Sequence, residues 1–373
     1  MSIRPSKLIR SEIVKTNNKN SNLTVQDVDR MRCNVGAARR KCMPKLPKTL
    51  SQFHEALDGL NLVTRDSEKF VLYNDKTTNI VLFSTDTNLR NLTRLTRIFL
   101  DGTFYCCPRF FKQLITIHAY HNHTYVPLAF FLLPNKKADT YERALMILQS
   151  ECRRLQLLFR PQVMFVDFEL AIHEAIRKVL PGVSVWGCRH HLAQIWWKKI
   201  QSLRLTRVYK KSDSEIGDFL KCFFGLPFLD PYDIEDCFTD DLMSIMPRNP
   251  AVEDFCDHIL HDYVSTEAPF PPTVWSKLSC DLRRTTNECE SFHSHVNSEF
   301  CSPYPNLFNF TAVLIDVQAE VSIKMRSTDA QSNKLMQEKE VLLKEEMINY
   351  KQGMITRLEY IKNVSQIFQF TNK

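Results

Sequence analysis

Glycine is scarce in this chain, with eight residues among 373. No G-x-G-x-x-G and no G-x-x-x-x-G-K occurs, so neither common nucleotide-binding cradle is supported. No two of the twelve cysteines form a C-x-x-C pair, which leaves a thiol-only zinc knuckle without its spacing. The N-terminus, M-S-I-R-P-S-K-L-I-R, has no apolar core of the kind that directs export. Without an export signal, the cysteines are read as reduced thiols or metal ligands, not as a disulfide framework. No apolar run approaches the length of a membrane span. What is present is ordinary for a globular protein: 44% hydrophobic and 24% charged residues. A net charge of +7 permits a polyanionic partner without requiring one.

Residues 1–20 carry Arg4, Lys7, Arg10, Lys15 and Lys19 against Glu12, a basic arm or a solvated tail. A helix is expected over 23–41, ending in Arg39, Arg40 and Lys41, candidates for phosphate contact. A short helix near 49–58 follows. Phe70–Tyr73 and Ile80–Phe83 read as a hairpin across a polar turn. Residues 1–94 are therefore read as a small α+β lead-in region.

From residue 97 the pattern is regular. Ile98, Phe99 and Leu100 form an apolar run closed by Asp101, and Gln162–Val166 repeats the pattern before Asp167. Between them, Leu114–Tyr120 and Tyr125–Leu133 read as a hairpin. A helix starting near Asp139, with Glu142 as a capping-box partner, carries Tyr141, Leu145, Leu148 and Cys152 on one face. Another helix follows Asp167, then a short strand over Val183–Trp186, then a helix from His190. The order β-β-β-α-β-α-β-α is that of a ribonuclease-H-like fold: a mixed five-stranded sheet flanked by helices. In that arrangement Asp101 and Asp167 end neighbouring strands, and two such acids suggest a shared metal site. The first part of this core is placed at 95–204. A Phe- and Asp-rich helical insertion is expected over 205–280, and the end of the core, with an acid-bearing helix, over 281–325. Residues 326–373 read as a helical tail.

The motifs D-G-T-F (Asp101–Phe104), V-D-F-E-L-A (Val166–Ala171), G-C-R-H-H-L (Gly187–Leu192) and T-T-N-E-C-E-S-F-H (Thr285–His293) resemble the core of Mutator-like element (MULE) transposases. The resemblance covers about 95–325 and departs from the family at Thr286, where an Asn is usual. It implies a metal-dependent DDE transposase that cleaves and rejoins DNA, with Asp101, Asp167 and Glu290 as catalytic and metal-binding triad. Two Mg²⁺ or Mn²⁺ ions suit such hard oxygen ligands. Glu169 competes as a ligand, or merely starts its helix. The C-x-x-H element, Cys188 and His191, together with His293, is an auxiliary candidate for a structural Zn²⁺ or a DNA contact; the alternative is a buried thiol beside a hydrogen-bonded imidazole. Lys198 and Lys199, beside Trp196 and Trp197, are candidates for phosphate contact. The implied partners are terminal inverted repeats and target DNA, bound by a homodimer or larger assembly in the nucleus, with no membrane. Only Cys33, Cys42 and nearby His54 stand where such transposases carry a zinc-binding recognition module. The alternative is accordingly a domesticated, transposase-derived DNA-binding or chromatin-associated protein that does not transpose.

Overall fold

The computed structural model describes Ile9 and residues 11–12, 24–42, 44–283, 287–300, 302–327 and 334–368. Seven strands, not five, form the sheet: β1 (Val71–Asp75), β2 (Ile80–Phe83), β3 (Arg97–Thr103), β4 (Gln113–His121), β5 (Thr124–Leu133), β6 (Val163–Val166) and β7 (Ser184–Gly187), in the order β1-β2-β5-β4-β3-β6-β7. The two additional strands are the front hairpin. All four residues of β2 are buried, and Val81, Leu82 and Phe83 pair antiparallel with Leu132, Phe131 and Phe130 of β5. An apolar strand without polar alternation has both faces to cover, so it joins the sheet.

β4 and β5 form a hairpin whose two-residue turn, Asn122 and His123, has positive φ at both positions. That backbone matches the right-handed twist of the strands it joins. β3, β6 and β7 run parallel, with Ile98 opposite Met164 and Met164 opposite Val185. The main helices are α1 (Val25–Cys42), α2 (Leu50–Gly59), α3 (Asp86–Arg94), α4 (Ala138–Arg154), α5 (Leu170–Val179), α6 (Arg189–Ser202), α7 (Glu215–Cys222), α8 (Pro250–Ile259), α9 (Asn287–Glu299), α10 (Leu307–Arg326), α11 (Lys334–Lys351) and α12 (Arg357–Ile367). The capping box expected at α4 is absent, since Lys137 is its N-cap and contributes no side-chain cap. Asn135 Oδ1 takes that role by accepting from the Lys137 N–H (2.9 Å) and the Thr140 hydroxyl (2.7 Å). No helix among the described residues is long and apolar enough to cross a membrane.

The chain divides into two compact units. The first comprises 1–95, 101–160 and 289–327; the second comprises 96–100, 161–288 and 328–373. In the first unit, the Phe70 ring packs on those of Phe83 and Phe130, and Phe310 of α10 meets Phe83. Asn88 of α3 and Gln318 of α10 exchange two buried amide hydrogen bonds (2.8 and 3.2 Å). Each amide therefore satisfies the other where water does not reach.

In the second unit, Phe99 stacks on Phe165 with ring centroids 4.9 Å apart. The helical region after α6 shares one core with that helix: Trp196 of α6 and Trp275 meet edge to face, and Phe223 meets Phe255 in the same way. α12 completes that core: the Tyr360 hydroxyl donates to the Phe228 carbonyl (3.1 Å), and Arg357 pairs with Asp241. The fit is backbone to backbone, because a Cβ at Gly225 would lie 2.2 Å from the Ile361 carbonyl oxygen. A backbone atom cannot rotate away as a side-chain tip can.

Two stability measurements test this packing. Gly225→Ala should lower stability by about 1–3 kcal/mol and lower the melting temperature; an unchanged melting curve would mean that α12 does not dock at this glycine. Gln318→Leu strips Asn88 of its amide partner and should cost about 1–3 kcal/mol in chemical denaturation.

Candidate functional site

β3 carries Asp101 into the interior of the first unit, where the residue is 5% exposed. One carboxylate oxygen accepts the Gly102 N–H (2.9 Å), and the other lies 3.1 Å from Nδ1 of His293, itself buried on α9. His293 Nε2 is 2.7 Å from the Thr116 hydroxyl, which is also 2.8 Å from His118 Nε2. Thr116 and His118 stand two residues apart on β4, so their side chains share one face of the strand. Burial holds the His118 imidazole well below its ordinary pKa, with the nearby His293 and Lys324 acting in the same direction, so the ring is neutral.

The His293 Nδ1 approach to the carboxylate is an ion-pair distance and not a hydrogen bond, and the Thr116 hydroxyl, set between the two imidazoles, also reaches the Asp101 carbonyl (3.3 Å). The result is a buried relay, Asp101–His293–Thr116–His118. Phe292 meets the His118 ring edge to face at 5.1 Å. Glu290 is half-buried on α9, three residues before His293.

In the second unit Asp167 follows β6 directly, and its side chain is 50% exposed. Its Oδ1 accepts the Phe168 N–H (2.7 Å) and lies 3.6 Å from His191 Nδ1. Its carbonyl accepts from His173 Nε2 (2.9 Å). Glu169 is the N-cap residue of α5. Gly187 makes this turn fit, since a Cβ there would fall 2.3 Å from the Phe168 ring, which packs on Tyr263 and Phe270. Cys188 is fully buried as the N-cap residue of α6, and its N–H donates to the Val166 carbonyl (2.7 Å). Gln194 donates to His190 Nε2 (2.8 Å). Trp196 and Trp197 are buried, whereas Lys198 is exposed and Lys199 half-buried. The side chains of Arg39, Arg40 and Lys41 lie outside the described residues.

Residues 97–195, from β3 into α6, match the family model described as the MULE transposase domain. This stretch of the chain carries a MULE transposase domain. A search of curated proteins found no match.

The expected cofactors require correction. Neither the Mg²⁺ or Mn²⁺ pair on Asp101, Asp167 and Glu290 nor a Zn²⁺ on Cys188, His191 and His293 is supported. Among the described residues, no group of three or more His, Cys, Asp or Glu side chains is placed to hold a metal ion. The local geometry gives the reason. Asp101 accepts the N–H of the next residue in its own strand and faces His293, Asp167 is engaged by its own turn with His191 close by, and His293 by Thr116. Cys188 is sealed at the start of α6.

Within the MULE transposase domain, sequence reasoning did not single out Thr116 and His118. The available signal was T-I-H inside an otherwise apolar strand, two polar residues at period two on one face.

Two outcomes are expected. Thr116→Val keeps the shape but removes the hydroxyl between two buried rings, so stability should fall by about 1–3 kcal/mol in urea unfolding; no change would mean that the relay is not formed. His173, buried and donating to the Asp167 carbonyl, has its pKa pushed down to about 4, mainly by burial. Its folded value lies below the unfolded value near 6.5, so its contribution is complete above pH 6.5 and is lost as pH falls toward 4. Going from pH 7 to pH 5 should therefore remove about 2 kcal/mol, and His173→Gln should flatten the melting-temperature profile across that range.

Proposed function

We infer that this chain is a transposase-derived DNA-binding protein, in which a MULE transposase domain serves recognition and not strand transfer. One observation carries the reading: Asp101, the acid that the resemblance assigns to catalysis, is buried against His293 in a hydroxyl–imidazole relay. A carboxylate held this way sets β3 against α9, and at 5% exposure it is closed to a transferable phosphate. The family match over 97–195 supports DNA as the class of partner, and the net charge of +7 agrees in sign. Lys198 and Lys199, with Arg39, Arg40 and Lys41, supply phosphate contacts in this reading, and the protein works in the nucleus. Such contacts set affinity and register without reading bases.

Fluorescence anisotropy with labelled duplex DNA tests the proposal. Affinity should fall steeply between 50 and 200 mM salt, and a Lys198→Ala/Lys199→Ala variant should lower the slope of log affinity against log salt by about 2. EDTA should leave the affinity unchanged. Nicking or joining of the protein's own flanking repeats by the wild type with Mg²⁺ or Mn²⁺ would overturn the non-transposing reading, whereas salt-independent binding would overturn the electrostatic one.

A further inference from the structure

The first unit contains a cavity of about 400 Å³ that none of the preceding chemistry uses. It is lined by three cations, Lys45, Lys48 and Arg109, and by three aromatic rings, Phe53, Phe110 and Tyr304. No acidic residue lines it among the described residues. The volume is within the range of small-ligand pockets, roughly 300–1,000 Å³. Phe53 is buried, whereas Tyr304 is 57% exposed. The Arg109 guanidinium lies 5.0 Å from the centroid of the Phe110 ring, which in turn meets Phe53 edge to face.

Two further features point to an anion with a flat apolar part. The lining segments lead directly into helices: Lys45–Lys48 precede α2, capped by Thr49, and Asn306 caps α10. Helix starts add positive potential to that of the three cations. Tyr304, between two prolines, also holds a left-handed backbone (φ 56°), and its N–H donates to the Tyr105 carbonyl (2.9 Å). A bulky residue held in that region is strained, and such strain persists where the surroundings fix a side chain in place.

The geometry points to a binding site for one unpaired nucleotide of a DNA strand, its base against Tyr304 and Phe110 and its phosphate on Lys45, Lys48 and Arg109. A base inside a duplex already has both faces covered, so the pocket takes a nucleotide that is out of the stack. Phe104, 44% exposed with the Lys136 ammonium 4.9 Å from its ring centroid, offers a second stacking surface on the same β3–β4 connection. This inference rests on the DNA-binding reading above.

The test uses the full chain and three labelled DNAs: a paired duplex, the same duplex with one unpaired nucleotide, and a single strand. Wild type should bind the two DNAs with unpaired bases more tightly than the duplex, by roughly five- to a hundredfold. Tyr304→Ala and Lys48→Ala should each reduce that preference while leaving duplex affinity and the melting curve unchanged. 2-Aminopurine at the unpaired position should be quenched by wild type and less so by Tyr304→Ala. Equal affinity for the three DNAs, or a preference that survives both substitutions, overturns the pocket assignment. Competition by millimolar free dAMP as effective as by the strand overturns the strand as ligand. Failure to bind any DNA removes the underlying reading instead.

Discussion

Much of the first unit is arranged around one buried contact, the 3.1 Å approach of the Asp101 carboxylate to the His293 imidazole. A buried carboxylate is costly unless its charge is compensated, and here the Gly102 N–H bonds one oxygen while the His293 ring stands at ion-pair distance from the other. The same ring fixes Thr116, and Thr116 fixes His118, so the end of β3, the middle of β4 and the second turn of α9 share one set of hydrogen bonds. A residue type well suited to holding cations thus acts as a structural anchor. The stretch over 97–195 matches the MULE transposase domain, and within it Asp101 is buried against His293.

The fold was legible wherever local pattern decides it. The apolar runs ending at Asp101 and Asp167, the hairpin closed by Asn122 and His123, and the amphipathic face of α4 all follow from period-two or period-3.6 alternation. The strand count was not, because Ile80–Phe83 is uniformly apolar and its partner in β5 lies some fifty residues downstream. Local chemistry also misled at α4, where Asp139 and Glu142 have the spacing of a capping box but Asn135 supplies the cap. The relay was hidden for a similar reason. Thr116 and His293 are 177 positions apart, and nothing in either neighbourhood announces the other.

The carboxylates illustrate a further limit of motif reasoning. Spacing placed both acids at strand ends, yet β3 runs on to Thr103 past Asp101, and spacing does not say what a carboxylate touches. Burial and a neighbouring imidazole made Asp101 an internal partner. A turn N–H and greater exposure gave Asp167 different surroundings.

The docking of α12 carries a consequence for how the chain is made. The Tyr360 hydroxyl and the Phe228 carbonyl it meets are 132 positions apart. During synthesis at ~5–20 residues per second, on the order of ten seconds separates the two ends of that contact. Throughout that interval the aromatic interior of the insertion, with Phe223, Phe228 and Trp275, lacks the helix that covers it. The growing chain therefore passes through a stage in which a large apolar surface is open beside the ribosome, and its yield in a cell depends on what shields that surface until residue 361 emerges.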